Sequence, residues 1–180
     1  VQSRSARNTG GYTITNTEYL FDGSVAKQQT EHRQGEDITR EHYRYTYDHT
    51  GRPLKTLYRL NNDAEITLSS FSYDGIGRLV QNLLSNSQDT IRYSYDMRNR
   101  LKETSSKHFS ERLYYADHPS EDVTPCFNGN ISAIHTAWRD TVNTYAYTYD
   151  PLNRMLSSKR LTGSSTTKSE SFGYDAEGNI

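Results

Sequence analysis

"FSYDGIGRL" spans Phe71–Leu79, and its reading decides the fold. The order is aromatic, spacer, aromatic, Asp, two spacers, Gly, Arg, aliphatic. Side chains alternate across a strand, so Phe71 and Tyr73 share one face. Asp74 is suited to open a type I turn by accepting hydrogen bonds from backbone N–H groups ahead of it. Gly77 stands where a type I turn with a G1 bulge needs a left-handed residue. Leu79 starts the returning strand. The phrase spells strand, tight turn, strand.

It recurs. "YTYDHTGR" puts Asp48, "YSYDMRNR" Asp96, "YTYDPLNR" Asp150 and "FGYDAEGN" Asp175 in the slot of Asp74. The third residue after each Asp is Gly51, Gly77, Asn99, Asn153 or Gly178. Gly takes a left-handed conformation freely and Asn is the next-best choice, so the spacing predicts positive φ at all five. Pro151 follows Asp150, the favoured place for Pro in such a turn. Pro53 follows Arg52 and lacks a ladder donor, which predicts a strand that starts late or lies at an edge.

Successive Asp slots are 26, 22, 54 and 25 residues apart, so a worn copy is expected inside the long step. "CFNGNI" (Cys126–Ile131) fits, with Cys126 in the Asp slot. A second worn copy, "YLFDGSV", is read with Asp22 in the slot and a shortened turn. This gives a lead-in over residues 1–18 and an array of about seven units over 19–180. The unit near 115–131 is degenerate and carries an inserted loop, "YADHPSEDVTPC" (Tyr115–Cys126). Polar linkers at Leu60–Glu65, Leu84–Asp89 and Thr162–Glu170 read as the opposite turns of a meander. No segment has helical periodicity. The expected fold is all-β, an array of antiparallel β-hairpins stacked into a long, twisted, curved sheet.

Composition agrees with a thin, sheet-rich chain. Hydrophobic residues are only 32% of the 180, yet aromatics reach 12% with fifteen Tyr, which favour strands and bury a ring while keeping the hydroxyl wet. The 21 basic and 22 acidic residues leave a net charge of −1 without a sustained basic run, so nothing favours nucleic acid. No apolar stretch is long enough to span a membrane. The lone Cys126 forms no internal disulfide.

Candidate sites divide accordingly. Asp48, Asp74, Asp96, Asp150 and Asp175 recur once per repeat without a second acid in a fixed position, which fits turn capping better than a carboxylate centre. Arg52, Arg78, Arg100 and Arg154, with Tyr73, Tyr95 and Tyr149, are a candidate ligand-binding face for an anionic glycan or a protein. The alternative is Arg stems covering Tyr rings and cross-strand packing. Cys126, His118 and His135 are the best metal candidates, but their spacing matches no standard zinc pattern. No catalytic residue, metal or cofactor is assigned.

The five phrases in register resemble the YD repeat of the Rhs family, which includes bacterial polymorphic toxins, toxin-complex subunits, wall-associated proteins and teneurins. The resemblance covers roughly Tyr19–Ile180. It implies a non-catalytic section of a β-sheet shell from a larger secreted or cell-surface protein, whose remaining chain and enclosed C-terminal domain, a toxin in several members, would be its partners. Open strand edges imply edge-to-edge self-association of the isolated strip.

Overall fold

The computed structural model describes residues 1–6, 11–84, 89–139, 141–162 and 165–180. The turn residues of the Leu84–Asp89 linker, and two residues of the Thr162–Glu170 linker, lie outside this description. The chain divides into two units, Val1–Ile91 and Arg92–Ile180.

The first unit holds β1 (Gln2–Ala6), β2 (Tyr12–Tyr19), β3 (Val25–Gln34), β4 (Asp37–Tyr47), β5 (Pro53–Leu60), β6 (Ile66–Tyr73) and β7 (Leu79–Leu84). They lie side by side in chain order, each antiparallel to the last. The second unit begins within β8 (Asp89–Tyr95) and continues through β9 (Leu101–Ser105), β10 (Phe109–Tyr114), β11 (Ala133–Trp138), β12 (Thr141–Tyr149), β13 (Met155–Thr162) and β14 (Ser165–Ser171). Here too each strand pairs antiparallel with its neighbour in sequence. The protein is all-β, and among the described residues no pairing closes the sheet on itself.

Besides single slips at Thr56/Leu57 and Arg160/Leu161, the register slips at one repeated place. Extra residues enter the ladder at Glu18/Tyr19, Thr46/Tyr47, Ser72/Tyr73, Ser94/Tyr95 and Thr148/Tyr149, always at the aromatic just before the turn. This is a β-bulge built by the left-handed residue that follows. It also explains why Pro53 departs from expectation. β5 begins at Pro53 and lies between β4 and β6, neither late nor at an edge. Pro53 is the first strand residue and sits opposite Tyr47 at the bulge, where a missing N–H is tolerated.

The worn first turn also differs from its reading. Leu20 N–H donates to the Ser24 carbonyl and Gly23 N–H to the Leu20 carbonyl, as Asp48 and Gly51 do with Arg52 and Asp48. Leu20, not Asp22, therefore fills the Asp slot, and the turn has full length. The left-handed Gly23 (φ 88°) fixes the register, and the acid does not.

Little of the sheet is buried. In the first unit Gly11 and Thr30 are the buried residues among those described. The second unit has a small apolar core of Val123, Ala133, Ala146 and Leu161, with Tyr114 packed against it. Val123 comes from the inserted loop. Ala133 lies opposite both Tyr114 and Ala146, so the loop folds back to cover this face of three adjacent strands. The small side chains of Ala133, fully buried, and Ala146 leave the room that Val123 fills.

Candidate functional site

The turn residues form a clasp that repeats with little variation. In the four copies that carry Arg, one carboxylate oxygen of Asp accepts two backbone N–H groups. Asp48 Oδ1 accepts from Thr50 and Arg52 at 2.9 and 3.0 Å, Asp74 Oδ1 from Ile76 and Arg78 at 3.1 and 2.9 Å. Asp96 and Asp150 do the same. The second oxygen accepts from the Nε of Arg52, Arg78, Arg100 or Arg154, at 2.7 Å in every case. In the last copy Asn179 stands for Arg and donates its Nδ2 to Asp175 at 2.9 Å. Behind the carboxylate, the N–H of Gly51, Gly77, Asn99, Asn153 and Gly178 donates to the Asp carbonyl at 2.9–3.1 Å. These five residues have φ of 82°, 92°, 63°, 65° and 90°.

The same side chains reach the next repeat. The Arg52 guanidinium lies over the Tyr73 ring at 4.6 Å, Arg100 over Tyr115 at 3.8 Å and Arg154 over Tyr174 at 4.5 Å. Each of these Tyr hydroxyls then donates to the carbonyl one residue past that Arg. Tyr73 reaches Pro53 and Tyr115 reaches Leu101, both at 2.9 Å, and Tyr174 reaches Met155 at 2.8 Å. Tyr47 makes the bond to Val25, and Tyr149 makes it to Ile131. Asp therefore shapes the turn and orients Arg, Arg covers the next ring, and that ring's hydroxyl ties back across the repeat boundary. Arg78 joins Asp74, and Tyr95 ends β8 in the slot that Tyr73 and Tyr149 occupy.

The electrostatics follow from this geometry. Burial alone would raise the Asp48 carboxyl, but donors from Thr50 and Arg52 outweigh it and hold the group well below the usual carboxylate range. Asp96 and Asp150 show the same contest with the same winner. In Asp74 the Arg78 N–H is the largest cause of the downward shift, and in Asp175 the Asn179 side chain is.

The 115–131 copy keeps the left-handed glycine and the tyrosine tie, but it redirects the Cys126 N–H and loses the charges. Gly129 is left-handed (φ 101°), the Cys126 N–H donates to the Tyr115 carbonyl, and Ile131 receives the Tyr149 hydroxyl. Asn130 takes the Arg slot. It and Asn128 donate their side-chain amides to Asn153 Oδ1 at 3.3 and 2.5 Å. Among the described residues no cation lies over Tyr149. Tyr115 serves this repeat as the clasp tyrosine, and sequence reasoning missed it because the insertion separates it from its turn. The spacing of Leu113 and Tyr115, two apolar residues on one face as in Tyr-x-Tyr, is the signal for it.

The sequence's metal candidates remain local. His118 Nδ1 accepts from Ser120 N–H at 3.0 Å, His135 Nδ1 meets Thr144 Oγ1 at 3.1 Å, and burial pushes the Cys126 thiol up. Among the described residues no three His, Cys, Asp or Glu side chains gather as a metal would need. Among the described residues no helix is long and apolar enough to cross a membrane.

Neither a protein-family profile nor a curated protein matches the sequence. Solved structures do. The crystal structures of TcdB2–TccC3, of TcdB2–TccC3–Cdc42 and of TcdB2–TccC3–TEV each align over 81% of this chain with a TM-score of 0.53 and 17% identity. The fold is one found in TcdB2–TccC3. The likeness spans only 9% of the length of those chains. The resemblance that the YD phrases carry is thus joined by a likeness of fold.

Proposed function

We propose that this chain is a structural YD-repeat module, a section of β-sheet wall in a larger secreted or surface protein that encloses or displays a C-terminal domain. The observation that carries this reading is the clasp. The residues that recur most regularly are engaged with one another and with the backbone across repeat boundaries, as expected of parts that set sheet geometry. The fold shared with TcdB2–TccC3 supports the shell, and the small fraction of those chains that it spans supports a larger whole. In this reading Asp48, Asp74, Asp96, Asp150 and Asp175 are turn formers, and Arg52, Arg100 and Arg154 act as mortar.

The test is protease protection of the parent protein. An enclosing wall shields the C-terminal domain from added protease, and Asp74→Ala with Arg78→Ala opens it. A C-terminal domain cut equally fast with and without the intact wall removes the enclosure reading. A glycan array screened with the chain and with Tyr73→Ala tests the binding alternative, which requires binding that disappears while the fold persists.

A further inference from the structure

The worn turn contains the chain's one Asn-Gly step, Asn128-Gly129. At the other turns of the repeated phrase the N–H of the left-handed residue is tied down. Gly23 donates to Leu20, Gly51 to Asp48, Gly77 to Asp74, Asn99 to Asp96, Asn153 to Asp150 and Gly178 to Asp175. Phe127 and Asn128 form a turn of the same type, but among the described residues Gly129 N–H makes no bond as short and well aligned as those six. Asn128 is exposed to solvent, and its Oδ1 accepts the Asn130 N–H at 3.1 Å. That Asx turn folds the side-chain carbonyl back over the intervening Gly129 peptide and withdraws electron density from its carbon. No Cβ stands at residue 129 to hinder approach, and nothing else lies within 4 Å of where one would be.

We infer that Asn128 is a site of spontaneous backbone-assisted deamidation. The Gly129 nitrogen gives its proton to water and attacks Asn128 Cγ, closing a five-membered succinimide. The Cγ–Nδ2 bond breaks, and the nitrogen leaves as ammonia after taking a proton. Water then adds to either ring carbonyl and reopens the ring as aspartate or isoaspartate. The product loses the Nδ2 donor that now reaches Asn153 Oδ1 and places a carboxylate against that oxygen. The neutral amide clasp of this repeat is thereby converted, irreversibly, into a repulsive contact at its join with the β12–β13 turn. The isoaspartate product also lengthens the turn backbone by one carbon.

The experiment is peptide mapping by mass spectrometry after prolonged incubation of the folded chain at mildly alkaline pH, with a parallel sample held unfolded in urea. The tryptic fragment Leu113–Arg139 contains the site. The expected result is an amide-to-acid mass shift located at Asn128, ahead of every other Asn, and at least as fast in the folded chain as in the unfolded one. Asn128→Gln, which would need a larger ring, should abolish the shift in that fragment. A folded chain that protects Asn128 relative to the unfolded one, or a shift that localises to Asn130 instead, overturns the inference.

Discussion

At the scale of single residues, the turn reduces to one backbone requirement and one charge requirement, and the two are separable. Gly51 and Gly77 both need positive φ, so Ala at either costs about 1–2 kcal/mol of backbone strain. Their surroundings differ. A Cβ on Gly51 meets nothing within 4 Å, whereas one on Gly77 comes within 2.6 Å of Arg52 Nη1. Gly77→Ala should therefore destabilise more than Gly51→Ala in chemical denaturation, because it also pushes Arg52 off the Tyr73 ring. Equal losses would show that Arg52 moves without consequence. The charge requirement appears in acid. The five turn carboxyls have folded-state pKa values below the unfolded Asp value of about 3.9, so their contribution is complete above that value and disappears as pH falls through the folded values. Tm should stay level from neutral pH to about 5 and fall below about 4, with Asp74→Asn flattening the fall. A Tm that is level to about pH 2 would remove the carboxylates from the stability account. The amino-acid order made both requirements readable, since Gly or Asn at a fixed distance after Asp marks the left-handed position of a turn. It left hidden that Arg52, Arg100 and Arg154 each serve two repeats, because the partner Tyr lies 21, 15 and 20 residues further on.

At the scale of elements, the two worn copies show which part of the phrase governs a hairpin. Leu20 and Cys126 stand where Asp is expected, yet their turns form with Gly23 and Gly129 left-handed. Matching on the acid misplaces the first turn by two residues, whereas matching on glycine places it correctly. The inserted loop was legible as an interruption and illegible as a core element. One Val among acids and prolines carries no periodicity, and its importance arises only because Ala133 and Ala146 face it from the two strands that follow the loop. Val123 is 4% exposed, so Val123→Ala should cost about 2 kcal/mol in thermal or denaturant unfolding of the second unit. Leu152, 72% exposed on a turn, should be neutral to the same substitution. Similar small effects at both positions would mean that the loop merely rests on the sheet.

At the scale of the whole molecule, stability should be uneven, because backbone pairing is spread throughout while apolar burial is not. Open sheets with exposed faces depend on cross-strand pairs and turns, each worth well under a typical core contact. The second unit adds Val123, Ala133, Ala146 and Leu161; the first has no counterpart among its described residues. Local opening follows burial, so amide exchange should be slowest in β11 and β12 around Ala133 and Ala146. It should be faster throughout β2–β5, despite the longer ladders there. The edge strand β14 tests the same physics from outside. It pairs with β13 on one side, and its seven residues carry only Lys168 and Glu170 as charges against further pairing. Exchange in β14 should therefore slow as protein concentration rises, in step with a growing sedimentation coefficient, as exposed edges pair between molecules. Protection in β14 that is independent of concentration, in a particle that stays monomeric, would show that this edge is closed by the chain itself and that the isolated strip needs no neighbour.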